Sequence, residues 1–140
     1  MLFNFSCSDL NFDVVVVGGG TSGVASAIQS SRLGSKTLLI EESNWLGGML
    51  TSAGVSAVDG NYKMPSGFLK EFRDSLVSYY GHLDSLKTGW VSNFMFEQAV
   101  GNRILKDIAK QENNLTILYC STVSEVVKKE KFNIKTNYDT

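Results

Sequence analysis

The first chemistry legible in the chain lies in Gly18-Gly19-Gly20-Thr21-Ser22-Gly23, a G-x-G-x-x-G spacing, with an acid, Glu41, about twenty positions further on. Each residue type has a physical role in such a pattern. Gly18 permits a tight turn out of a strand, Gly20 removes a side chain where a diphosphate would lie against backbone, and Gly23 lets a helix pack closely on strands. If a helix opens at Thr21, the N–H groups of Thr21 and Ser22 have no partner within the helix, and the dipole there favours negative charge. A diphosphate carrying two negative charges is the guest that matches. Glu41 can then accept hydrogen bonds from ribose hydroxyls. Glu41 and Glu42, with no arginine beside them, would repel a 2′-phosphate, which argues against NADP.

The pattern carries this meaning only between a strand and a helix, and the flanking residues predict both. Four valines behind Asp13 make residues 13–17 a strand whose lack of polar alternation suggests cover on both faces, as in a parallel sheet. Val24, Ala27 and Ile28 fall at helical spacing within 21–33, and Gly34 supplies the stop. Residues 36–41 form a second short apolar strand, which completes a βαβ unit with its strands side by side. Residues 42–67 show no defensible period and read as a long loop, of the kind that tends to carry function. Ser66 can cap a helix bearing Phe68, Phe72, Leu76 and Tyr80 and ended by Gly81. A second helix, about 93–111, carries Phe96, Val100, Ile104 and Ile108, and both helices are expected to cover a sheet. Strands follow at 115–119 and 122–128, and Phe132, Ile134 and Thr136 alternate as a fifth that is exposed on one face. An alternating strand closing on Tyr138-Asp139-Thr140 has no next partner, so the expectation is a polypeptide shorter than the complete fold.

Size and composition narrow the class. A chain of 140 residues can build one domain core but not a cofactor domain together with a substrate domain. Its 13 basic and 14 acidic residues nearly cancel, apart from a small cluster at Lys128, Lys129 and Lys131, which argues against nucleic-acid and membrane partners. No apolar run has the length of a bilayer span. Cys7 and Cys120 are isolated, so no disulfide framework and no metal site is expected. Residues 1–12 read as a lead-in without the features of an export signal, and a cytoplasmic, reducing setting follows. On that basis the triplets Asn4-Phe5-Ser6 and Asn114-Leu115-Thr116 are chance matches to a glycosylation signal. The single histidine, His82, lies past a helix end and receives no role, while Trp45 and Trp90 can pack or flank a ligand.

With Gly47-Gly48-Met49-Leu50-Thr51 following Glu41, the first fifty residues resemble FAD-dependent oxidoreductases of the glutathione-reductase-type two-dinucleotide-binding fold, including relatives of the heterodisulfide reductase A subunit. The resemblance implies an α/β, Rossmann-like FAD/NAD(P)-binding fold, in which a parallel sheet is followed by the start of an antiparallel meander. It also implies FAD as cofactor, with Gly47 and Gly48 near the diphosphate and ribityl chain, Thr51 towards the flavin, and Val123 where backbone meets the adenine. On this likeness residues 1–140 form the N-terminal part of an FAD-binding domain, with the rest of that domain and the substrate domain lying elsewhere. Two departures matter. Residues 49–60 contain no cysteine, which excludes the dithiol chemistry of the disulfide reductases on that stretch. The 4Fe-4S clusters of heterodisulfide-reductase relatives find no ligand set in two isolated cysteines. The implied function is flavin redox chemistry on an unidentified small-molecule substrate or electron donor, with no catalytic side chain identifiable in this chain. An NAD-dependent dehydrogenase domain and a non-catalytic nucleotide-binding fragment remain as alternatives.

Overall fold

A computed structural model describes residues 11–60, 63–90, 92–128 and 132–138. The lead-in up to residue 10, with Cys7 and the Asn4 triplet, lies outside the described residues, as do Lys129, Lys131, Asp139 and Thr140. Strand β1 (Val14–Val17), helix α1 (Thr21–Arg32) and strand β2 (Thr37–Ile40) form the expected βαβ unit. Helices α2 (Gly67–Tyr80) and α3 (Gln98–Ala109) and strand β3 (Leu115–Leu118) follow, with short 3-10 turns at Gly48–Leu50 and Leu83–Leu86. Strands β1, β2 and β3 make a parallel sheet in that order, with β2 in the middle and Val17, Ile40 and Leu118 level at its C-terminal end. Strands β4 (Ser121–Lys128) and β5 (Phe132–Tyr138) form a separate antiparallel ribbon, whose register shifts between Val123 and Glu125.

Helical periodicity decides which face of α1 is inside. Val24, Ala27, Ile28 and Ser31 recur at i, i+3, i+4 and i+7, and all four are buried. The four valines of β1 behave differently from the two-faced cover that their run suggests. Val14 to Val16 are only half-buried, and Val17, at the C-terminal end of the strand beside an open cleft, is 61% exposed. The best-covered strand is the central one, where Thr37, Leu39 and Ile40 are buried and Leu38 is half-buried.

Helix α3 begins five residues later than the expected 93. The segment before it is extended, with Met95 bridging Ala57 and the Val58 N–H donating to the Phe94 carbonyl at 2.9 Å. Phe94 and Phe96 are two apart, so on an extended strand they share a face, and both pack with Phe72 in an aromatic cluster with ring centroids 5.3 to 6.2 Å apart. The fourfold spacing from Phe96 to Val100 imitated one more helical turn. Helix α3 packs on α1, whereas α2 finds its main partners in α3 and the Leu83–Leu86 turn rather than in the sheet. Among the described residues no helix is long and apolar enough to cross a membrane.

Arg32, at the end of α1, ties three elements together. Its guanidinium donates to both carboxylate oxygens of Glu71 on α2 at 2.7 Å, and its Nε donates to Glu112 beyond α3 at 2.7 Å. The bond from Arg32 holds the Glu71 carboxyl below the usual glutamate range, against a smaller desolvation effect. A depressed folded-state pKa contributes stability above the unfolded pKa, which is lost as pH falls through the folded value. The difference in melting temperature between the wild-type chain and Glu71→Gln is therefore expected to be full at neutral pH and to close on acidification. It should stay small, since about a third of each side chain is exposed. A gap that widened with acid would contradict the pairing.

Candidate functional site

The ladder of the parallel sheet delivers the chain to the glycine loop. The Gly18 N–H donates to the Ile40 carbonyl at 2.8 Å, and Gly18 then turns the chain at φ 94°, a conformation that side chains disfavour. The next amide, Gly19 N–H, donates to Glu41 Oε2 at 2.6 Å. A Cβ on Gly19 would lie 2.8 Å from that same oxygen, so this position, free in the G-x-G spacing, is constrained by a residue from the neighbouring strand. Gly20 is the N-cap of α1, and no side chain caps the helix there. A Cβ on Gly20 would meet nothing within 4 Å. The opening of α1 therefore presents first-turn amides and open space together, which is the arrangement an anion needs. Gly23 serves packing, since a Cβ there would sit 1.9 Å from the Gly18 carbonyl oxygen.

The Gly47-Gly48 segment is tied to this loop rather than left as a surface turn. The Gly47 N–H donates to the Gly19 carbonyl at 2.8 Å, and the Thr21 hydroxyl donates to the Gly47 carbonyl at 2.9 Å. Gly48 passes so close that a Cβ would lie 3.0 Å from the Gly20 Cα. Thr51 departs from its expected place beside the ligand. It is fully buried beneath the segment, where its hydroxyl donates to the Leu46 carbonyl at 2.6 Å, so it braces the turn from below.

Glu41 is also largely buried, at 9% exposure. Besides the Gly19 amide, its carboxylate accepts the Ser43 N–H at 2.9 Å and the Ser43 hydroxyl at 2.6 Å. Burial first, and then the negative charge of Glu41, push the nearby Tyr119 phenol above its ordinary pKa, so it stays protonated. Removing the carboxylate strands these donors. Glu41→Ala is expected to destabilise the fold by about 1–3 kcal/mol in urea unfolding, with Glu41→Gln milder because its amide carbonyl still accepts. Equal midpoints for Glu41→Ala and wild type would show that the carboxylate braces nothing.

Two clefts open on either side of Gly20. The first, about 490 Å³, has a mixed wall, in which the acids Glu41 and Glu42 and the hydroxyls of Ser43 and Ser121 stand beside Gly18, Ile40 and Val123. Val123 reaches it because the chain turns out of β3 at Cys120, at φ 51°, and the Ser121 N–H docks on the Glu41 carbonyl at 3.0 Å. The second, about 580 Å³, is apolar and has no charged residue in its wall; Thr21, Ser22, Ala25, Met49, Phe68 and Phe72 are among its lining. The structure thus gathers Gly18, Gly20, Thr21, Ser22, Gly23, Glu41, Gly47, Gly48 and Val123 around one loop and puts Thr51 behind it. Sequence reasoning did not single out Gly19, Ser43 or Ser121. Of these only Ser43, a hydroxyl two residues past the acid, left a local signal. His82 caps the Leu83–Leu86 turn, accepting the Asp84 N–H at 3.1 Å, and neither it nor Trp45 or Trp90 lines either of these two clefts.

Residues 13–137 match the model of a family described as FAD dependent oxidoreductase. Among curated proteins, the glutathione reductase of Debaryomyces hansenii is 42% identical over 69 residues, covering 49% of this chain and 14% of that protein. The chain thus spans a small part of the length of that relative. Among solved structures, AlpK aligns with a TM-score of 0.62 at 14% identity, over 94% of this chain and 28% of that one. GidA of Aquifex aeolicus aligns with a TM-score of 0.57 at 21% identity, over 91% of this chain and 23% of that one. At such identities the structural likeness establishes the fold, a Rossmann-type arrangement of parallel strands and helices.

Proposed function

The chain belongs to the FAD dependent oxidoreductase family, and from that premise we propose that it is the part of a flavoenzyme that holds FAD. Adenosine would be held in the cleft walled by Glu41 and Glu42, the diphosphate at Gly20 by the amides of Thr21 and Ser22, and the flavin end towards the apolar cleft. The observation that carries this reading is that the two clefts share Gly20, whose missing Cβ leaves open space in front of an uncapped helix. A ligand polar at one end, doubly charged in the middle and apolar at the other fits that sequence of surfaces.

Bound FAD would supply electron transfer on its isoalloxazine ring, while the protein supplies binding, orientation and electrostatics. An ionised carboxylate has about four lone-pair sites. Those of Glu41 already receive the Gly19 amide and the amide and hydroxyl of Ser43, which leaves room for a ribose hydroxyl. Glu42 in the same wall adds charge against a 2′-phosphate. In the same reading the complete protein oxidises or reduces a small molecule in the cytoplasm, without nucleic-acid or membrane partners. Support for that setting is the near balance of charge and the two isolated cysteines.

Acid release of ligand from purified chain, followed by chromatography and fluorescence, tests the cofactor. FAD is the expected product. A nicotinamide nucleotide, or an empty protein that also fails to take up added FAD, would overturn the assignment.

A further inference from the structure

The Gly47-Gly48 segment is held from behind as well as from the front. On the back it rests on one face of α3, where Gly101, Asn102, Leu105 and Lys106 follow the helical repeat. Contact there is close, because a Cβ on Gly47 would lie 2.6 Å from Leu105 Cδ1 and one on Gly101 would lie 3.4 Å from Thr51 Cγ2. Two polar bonds fix the register. Asn102 Oδ1 accepts the Leu46 N–H at 2.9 Å, and the Lys106 ammonium, which lies 5.0 Å over the Tyr119 ring, donates to the Asn44 carbonyl. The Leu46 amide is the last before the two glycines, so the bond from Asn102 sets where the chain enters the turn that meets Gly19, Gly20 and Thr21.

We infer that Asn102 is a positioning residue for the diphosphate cradle, acting through the Leu46 amide to hold Gly47 and Gly48 against the opening of α1. Nothing else in the described hydrogen bonding accepts that amide, so its loss frees the segment at the point where the turn begins. The inference rests on FAD as the occupant. It differs from that reading in naming a group that touches no part of the ligand and yet governs its affinity.

The test uses the full chain and the pair Asn102→Leu and Asn102→Asp. Leucine keeps the size and removes the acceptor, whereas aspartate keeps the acceptor, with Lys106 one helical turn away. Amide hydrogen exchange at residues 46–48, measured without ligand, is expected to speed up by about tenfold in Asn102→Leu and to stay near wild type in Asn102→Asp. FAD affinity is expected to follow, falling by about tenfold in the leucine variant and recovering in the aspartate variant. Unchanged exchange in Asn102→Leu, faster exchange with full FAD affinity, or equal losses in both variants would each overturn the positioning role. Failure of the unsubstituted chain to bind FAD is a separate result, which removes the cofactor assignment itself.

Discussion

Gly23→Ala is expected to cost the chain both its stability and its FAD, although the change adds one methyl group. That methyl would lie 1.9 Å from the Gly18 carbonyl oxygen and 3.1 Å from the carbonyl carbon. Both are backbone atoms of a turn fixed by the Gly18 bond to Ile40, so no flexible side chain can give way. The helix has to withdraw from the strand. Overpacking of this kind costs about 1–3 kcal/mol, and at an overlap this deep the upper end applies. As α1 withdraws it carries the amides of Thr21 and Ser22 away from the Gly18–Gly20 turn, so binding falls with folding. Urea unfolding and retained flavin should both drop sharply. An alanine variant that unfolds at the wild-type midpoint would mean that the close approach of helix and strand has been misjudged.

Gly20→Val separates the two effects. Its backbone, at φ −61° and ψ 175°, is extended and open to any side chain, and a Cβ there meets no atom within 4 Å. Folding should therefore change by only about 1 kcal/mol, the loss expected when a β-branched residue replaces glycine at a helix N-cap. The valine methyls, however, stand where both clefts meet and in front of the helix amides. Hydrogen bonds to a charged group are worth about 1.5–3 kcal/mol each, so losing two of them should lower FAD affinity by at least about a hundredfold. Gly20→Ala should lie between valine and wild type. The contrast is the informative part: Gly23→Ala loses fold and ligand together, whereas Gly20→Val keeps most of its stability and loses the ligand.

The fingerprint was readable in the sequence because its glycines answer to local geometry, a tight turn and two close backbone approaches, which recur wherever a strand feeds such a helix. Gly19 was not readable, because its constraint is a carboxylate that arrives from Glu41 only when the sheet forms. Thr51 misled for a related reason. The resemblance put it towards the flavin, but the residue is fully buried and its hydroxyl donates to the Leu46 carbonyl. The valines of β1 show a limit of composition, since a β-branched run reports strand propensity but not which edges and faces find partners. Phe96 shows a limit of periodicity, because its spacing to Val100 is helical and its spacing to Phe94 is that of a strand. The bridge from Met95 to Ala57 decided for the strand.

The most direct measurement is a two-dimensional amide NMR titration of the chain with FAD. Binding at the opening of α1 should move the resonances of Gly20, Thr21 and Ser22 most, with those of Glu41, Gly48 and Val123 following at the same ligand concentration. Binding that left the three loop amides unmoved would place the diphosphate elsewhere and contradict the assignment at its centre.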